Sequence, residues 1–172
     1  IDEDGSLTIG LIGSDIDSET LTFSSSVDGN ATSTVDGNAL TVIPDEDFNG
    51  DISVTVNLTD GELEVSQTFT LTVNPINDAP ILDFIPDAAI DEDQVFNYTI
   101  SAFDVDGDDL IYGAIDGIHA SLSVDDNALT VVPNADWYGD ITISVTVSDG
   151  EYTDSQDFVL TVNPVNDAPI LD

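Results

Sequence analysis

Through most of the chain, apolar residues occupy every second position. Ile52, Val54, Val56 and Leu58 alternate with polar neighbours, and so do Ile141, Ile143, Val145 and Val147. Phe69, Leu71 and Val73 show the same alternation, as do Phe158, Leu160 and Val162. Successive side chains of a strand point to opposite faces, so each set predicts a strand with one buried side. Shorter runs, such as Phe96, Tyr98 and Ile100 in "FNYTIS", Leu110 with Tyr112, and Leu129 with Val131, bring the expectation to six or seven short strands in each half. No stretch has a helical period. "TDGE" and "SDGE", ending at Glu62 and Glu151, lie between the last two strands of each half and supply turn chemistry.

The two halves are copies. Residues 1–83 align with residues 90–172 at a constant offset of 89, with 39 of the 83 positions identical. "NALTVIP" at Asn38 returns as "NALTVVP" at Asn127, and "NPINDAP" at Asn74 returns as "NPVNDAP" at Asn163. A period of this length is too long for a solenoid and suits a small sandwich domain. The expected fold is therefore all-β: two tandem Greek-key antiparallel β-sandwiches, residues 1–79 and 80–172. The aromatic at matched positions before the long strand, Phe48 or Trp137, is expected to plug the core edge rather than stack on sugar.

Charge changes the picture. The chain has 36 carboxylates, no lysine and no arginine, for a net charge of -36. Phosphate contacts need basic residues, so nucleic acid is excluded as a partner, and anionic membrane surfaces are disfavoured. The apolar fraction of 41% sets the chain apart from disordered acidic tails. Among the acids, 29 are Asp and 7 are Glu. Asp is a turn residue and a short-armed oxygen ligand, so the bias points to cation-binding loops. There is no cysteine, hence no disulfide and no thiolate metal site. With no apolar run of membrane-spanning length, direct membrane insertion is not expected. The abrupt start at "IDEDG" and stop after "NDAP" suggest an excerpt of a longer protein.

The acids recur at loop ends. "IDED" comes before the first strand, and an Asp-x-Asp pair follows it: Asp15 with Asp17, then Asp104 with Asp106. Asp45 with Asp47 precede the long strand, and Asp60 or Asp149 ends it. Successive Greek-key loops fall at alternating ends, which sorts these acids to two poles. Two unit charges about 4 Å apart repel by roughly 4 kcal/mol at an effective dielectric of about 20. Converging carboxylates thus call for a cation, and Ca²⁺ accepts many oxygen donors in irregular geometry, whereas Mg²⁺ wants a tight octahedron and Zn²⁺ wants His or Cys. The lone His119 has Asn30 as its counterpart and is expected on the surface.

These motifs resemble cadherin repeats, and more closely the cadherin-like tandem repeats of large bacterial secreted and surface proteins, including RTX-type adhesins. The resemblance covers essentially the whole chain. In that family a D-x-N-D-N-A-P linker binds Ca²⁺ together with acids of both neighbouring domains. It implies that the internal junction uses Glu3, Asp45 and Asp47 of the first repeat, Asn74, Asn77 and Asp78 with the Ile76 carbonyl in the linker, and Asp104, Asp106 and Asp149 of the second. Asp15, Asp17 and Asp60 would then face a preceding repeat, and Glu92, Asp136, Asn163, Asn166 and Asp167 a following one. The linker departs from the pattern in having Asn74 for the first Asp and I-N-D for N-D-N, and Asn134 stands where Asp45 does in the first repeat.

"DVDGDD" at Asp104 is not an EF-hand, because Asp109 replaces the sixth-position glycine, Ile115 replaces the twelfth-position Glu, and no helix flanks it. Catalysis is not expected: the acids lie in repeated open loops, and one unrepeated His cannot supply triad chemistry. The leading expectation is a calcium-binding, non-catalytic module of a long bacterial adhesin, outside the cell or on its surface, with neighbouring repeats as partners. A second reading is a Ca²⁺-dependent module holding polysaccharide, through Trp137, Tyr138 and Tyr152, or holding the same protein on another cell.

Overall fold

The computed structural model describes residues 1–17, 20–116 and 118–169. The chain divides into two compact units, Ile1–Ile76 and Asn77–Asp172. Strands dominate, and no helix occurs among the described residues.

Among its described residues, unit 1 has six strands: β1 (Leu7–Gly10), β2 (Thr22–Val27), β3 (Ala31–Asp36), β4 (Ala39–Pro44), β5 (Gly50–Thr59) and β6 (Glu64–Val73). They form two three-stranded sheets, β1-β4-β3 and β2-β5-β6, paired antiparallel throughout. The core lies between the sheets: Leu40 and Val42 of one meet Ile52, Val54, Leu71 and Val73 of the other. Each fully buried aliphatic side chain of this kind contributes about 1.5–3 kcal/mol.

Among its described residues, unit 2 has nine strands: β7 (Ile81–Leu82), β8 (Ala88–Asp91), β9 (Phe96–Thr99), β10 (Ala102–Phe103), β11 (Ile111–Asp116), β12 (Ala120–Asp125), β13 (Ala128–Pro133), β14 (Gly139–Ser148) and β15 (Thr153–Asn163). Its sheets are β12-β13-β9 and β11-β14-β15-β8, with a small β10-β7 pair. One pairing departs from the antiparallel expectation. β8 runs parallel to β15, with Leu160 opposite Ala88 and Asn163 opposite Asp91. The reason is that β8 and β15 both run toward the pole where "NPVNDAP" leaves. In unit 1 this pairing shrinks to a single parallel bridge, Asp2 with Asn74.

The core of unit 2 is larger. It adds Leu82, Ile85, Ile100, Val145, Val147 and Phe158 to counterparts of the six residues buried in unit 1. Phe48 and Trp137 pack against their respective cores as plugs. Each ring lies over a glycine of left-handed-side φ: a Cβ on Gly50 would come within 3.3 Å of Phe48, and one on Gly139 within 3.2 Å of Trp137. His119, expected on the surface, is instead half-buried, its ring stacked on Trp137 with centroids 4.6 Å apart. The flat imidazole covers the outer face of the plug.

Candidate metal centre

The acids gather at the poles of each unit. In unit 1, Glu3 lies after the Asp2–Asn74 bridge, and its amide donates to the Asn74 carbonyl at 2.9 Å. Its carboxylate turns inward, where Oε1 accepts the amide of Ile76. Glu3 is 3% exposed, and its Oε2 is buried with no hydrogen-bond partner. Asp47 reaches the same corner through its amide, which donates to Asp4 Oδ1 at 3.4 Å. Asp4 and Asp47 both have left-handed backbones, with φ of 58° and 55°, which Asp tolerates better than most residues. Asp45 holds the turn through its backbone, its amide donating to the Asn30 carbonyl and its carbonyl accepting from Phe48.

The same corner is rebuilt in unit 2. Glu92 is buried, its Oε1 accepts the amide of Val165, and its amide donates to the Asn163 carbonyl at 2.9 Å. The Asp136 amide donates to Asp93 Oδ1 at 3.2 Å, again with both residues left-handed. Asn166 caps the carbonyl of Asp167. Asn134, in place of Asp45, donates its amide to the His119 carbonyl and its side chain to the Ile118 carbonyl.

At the opposite pole of unit 2, Asn77 donates its side-chain amide to Asp149 Oδ2 at 2.8 Å, and the Asp78 amide donates to Asp106 Oδ2 at 2.8 Å. Asp104 Oδ1 accepts three successive amides, from Asp106, Gly107 and Asp108, at 3.0, 3.1 and 3.2 Å. Its other oxygen is buried and partnerless. Asp149 Oδ1 also closes its turn, taking the amides of Glu151 and Tyr152. The matching pole of unit 1 is looser: Asp15 accepts the amide of Asp17 at 2.8 Å, Asp60 accepts those of Glu62 and Leu63, and Asp15 and Asp60 border a shared hollow of about 200 Å³.

The turn carboxylates titrate below their ordinary range. In Asp60 the cause is the amide of Leu63, followed by that of Glu62, both stabilising the charged form. In Asp149 burial pushes upward, but the donors from Asn77, Tyr152 and Glu151 together outweigh it.

The partnerless oxygens Glu3 Oε2 and Asp104 Oδ2 decide what these poles can do. A buried carboxylate needs a counter-charge or donors for both oxygens. The sequence holds no lysine or arginine to supply one. The donor set is all oxygen, from carboxylates, Asn side chains and backbone carbonyls, and this fits a hard cation such as Ca²⁺. Asp4 and Asp93 belong to the same corners, although the sequence-derived set named only their Glu neighbours. The signal was available in the repeated "IDED", whose final Asp recurs at the offset of 89.

The family model of the bacterial Ig domain matches the chain twice, over residues 1–74 and 77–161. The chain belongs to the bacterial Ig domain family. Among solved structures, these bacterial Ig domains are similar to human protocadherin-24 EC1-2, with 15% identity, a TM-score of 0.53, and coverage of 94% of this chain and 88% of that one. That likeness places the bacterial Ig domains within an immunoglobulin- and cadherin-like fold. Endo-fucoidan hydrolase MfFcnA4 of glycoside hydrolase family 107 is also similar, at 19% identity and a TM-score of 0.41. The match takes in 94% of the present chain but 26% of the hydrolase, so the chain spans about a quarter of that protein. No curated protein matches the chain. Tandem bacterial Ig domains suggest an adhesin-like module; domains of this kind are typically non-catalytic and are commonly found at the cell surface or outside the cell. No helix among the described residues is long and apolar enough to cross a membrane.

Proposed function

We propose that this chain is a calcium-binding, non-catalytic tandem module of a long extracellular or cell-surface adhesin, and that Ca²⁺ stiffens the linker phrase between its repeats. The observation that carries this reading is the pair of buried carboxylate oxygens without a partner, Glu3 Oε2 and Asp104 Oδ2, in a chain with no lysine or arginine. Glu3, Asp4, Asp47 and Asn74 of unit 1, and Asn77, Asp78, Asp104, Asp106 and Asp149 of unit 2, are the residues that would hold the ions. Pro75 and Pro80 limit the freedom of the linker phrase. The corner around Glu92, Asp93, Asp136, Asn163, Asn166 and Asp167 repeats the first set. Asp15, Asp17 and Asp60 repeat part of the second.

When bound, Ca²⁺ supplies charge neutralisation and up to about eight oxygen coordination positions. The protein's part is to present the oxygens. The Ile76 amide orients Glu3, the three amides at Asp104 leave its second oxygen for an ion, and Asn77 fixes Asp149. Extracellular modules bind with dissociation constants of about 10⁻⁴–10⁻³ M, so the sites fill outside the cell and stay empty in the cytosol. Calorimetric titration of the metal-free chain with Ca²⁺ tests the proposal. Saturable binding in this range supports it, and the absence of a binding heat together with an unchanged melt rejects it.

A further inference from the structure

Units 1 and 2 share their pattern but not their burial. Val145, Val147, Phe158 and Ile100 of unit 2 are at most 1% exposed. Their counterparts in unit 1 at the offset of 89, Val56, Leu58, Phe69 and Leu11, are all only half-buried. Together with Phe23 and Gln67 they line an open groove of about 750 Å³. Val65 and Ile12 at its rim are 66% and 96% exposed.

Unit 2 shows what fills this place. Ahead of Ile90, the residue matching Ile1, the segment Pro80–Asp87 lies along the edge of β15. Ile81–Leu82 pair with Ala102–Phe103, and the Asp83 amide donates to the Ser101 carbonyl at 2.9 Å. Leu82 and Ile85 are 8% and 2% exposed, inside the core. Gln156 clamps the backbone of Ile85 from both sides, its Oε1 accepting the amide at 3.1 Å and its Nε2 donating to the carbonyl at 2.9 Å. Gln67 is the counterpart of that clamp, and it is exposed at the groove.

We infer that the groove of unit 1 is the seat of an extended aliphatic segment of the Pro80–Asp87 kind, running directly into Ile1, with Gln67 clamping its backbone. In unit 2 the segment is held at β15 by side chains, Asp154 and Gln156 accepting the amides of Leu82 and Ile85, while its aliphatic residues fill the core, and Gln67 stands ready for the same clamp in unit 1. The occupant is an aliphatic segment joined directly ahead of Ile1, as β8 continues from the seated segment into Ile90, the residue equivalent to Ile1. A complete repeat then begins at its "APIL" phrase, as unit 2 does. This inference does not depend on cation binding.

The test grafts the sequence of Ala79–Ala89 ahead of Ile1 in the full chain and follows amide hydrogen exchange by mass spectrometry in chelator, with unit 2 as internal reference. Protection of β6 and of Val56–Thr59 is expected to rise by about tenfold or more, and the melting temperature of unit 1 by about 5 °C or more. Gln67→Ala is expected to remove much of the gain in the grafted chain and to be silent in the ungrafted one. A graft with serine in place of its leucine and its second isoleucine is expected to give no gain. Equal protection with and without the graft overturns the inference, as does a gain that the serine graft reproduces. Concentration-dependent dimers of the ungrafted chain that vanish when residues 168–172 are removed also overturn it, because the occupant is then the tail of a second copy.

Discussion

Asn77 donates its side-chain amide to Asp149, 2.8 Å away, tying the start of unit 2 to the turn that ends its longest hairpin. A hydrogen bond to a charged group contributes about 1.5–3 kcal/mol at most, and less where solvent competes. Asn77→Asp replaces the donor with a second carboxylate facing Asp149. In chelator this variant is expected to melt below the parent, because the two like charges repel. In millimolar Ca²⁺ the gap is expected to close, since a cation converts the added carboxylate into a ligand. Scanning calorimetry under both conditions checks the reversal. A deficit of equal size with and without Ca²⁺ would count against a cation at this pole.

Glu3→Gln gives the opposite sign. The amide keeps an acceptor for the Ile76 N–H and removes a buried charge whose second oxygen has no partner. Without metal, the variant is expected to match or exceed the parent, by up to about 1–3 kcal/mol, because only one oxygen of the buried charge has a donor. With Ca²⁺ it is expected to lose part of the stabilisation the parent gains. Glu92→Gln serves as the matched test in unit 2. Thermal melts across a Ca²⁺ series read both effects.

The difference between the two cores is measurable in single substitutions. Phe158 is 1% exposed, and Phe158→Ala is expected to cost about 3–5 kcal/mol. Phe69, its half-buried counterpart at the open groove, is expected to cost clearly less on the same change. Urea unfolding of both variants, followed by hydrogen exchange in each unit, checks the ordering. Equal costs would mean that the groove of unit 1 closes in solution.

Asp60 carries a pH signature. Its folded-state titration lies below the ordinary value of 3.8, through the amides of Leu63 and Glu62. A depressed carboxylate contributes stability that is fully present above its unfolded pKa and lost as pH falls through the folded one. Asp60→Asn is therefore expected to lower the metal-free melting temperature at pH 6, with the difference shrinking below pH 3.8 as the parent protonates. Melts of both chains in chelator across this range check the sign.

Much of this fold was legible in the alternation of apolar residues. Ile52, Val54, Leu71 and Val73 sit where a period of two puts them, and the gap-free repeat announced a second unit of the same kind. Less legible was how deeply equivalent residues are buried. Val56 and Val145 occupy equivalent positions of the repeat, yet only Val145 is sealed, because sealing depends on a segment from another part of the chain. The parallel pairing of β8 escaped for the same reason: Ala88 and Leu160 meet across more than 70 residues, and no local pattern encodes that. At the poles, "IDED" identified Glu3 and Glu92 through the family resemblance, while its final Asp, although repeated, was placed in the same corners by the amides that Asp47 and Asp136 donate to Asp4 and Asp93. His119 was read as a surface residue because a single unrepeated His gives no pattern, and its stacking on Trp137 is a contact between separate loops.

The most direct test of the central claim is the melting temperature of the chain in excess chelator compared with millimolar Ca²⁺. With free ion at about 100 times the dissociation constant, each site adds about 2.7 kcal/mol to folding, which for units of this size shifts the midpoint by roughly 10 °C or more. A rise of that order, absent with Mg²⁺ at the same concentration and reduced by Glu3→Gln, is the result expected of a calcium-binding tandem module. Superimposable melts in chelator and in Ca²⁺ would contradict it.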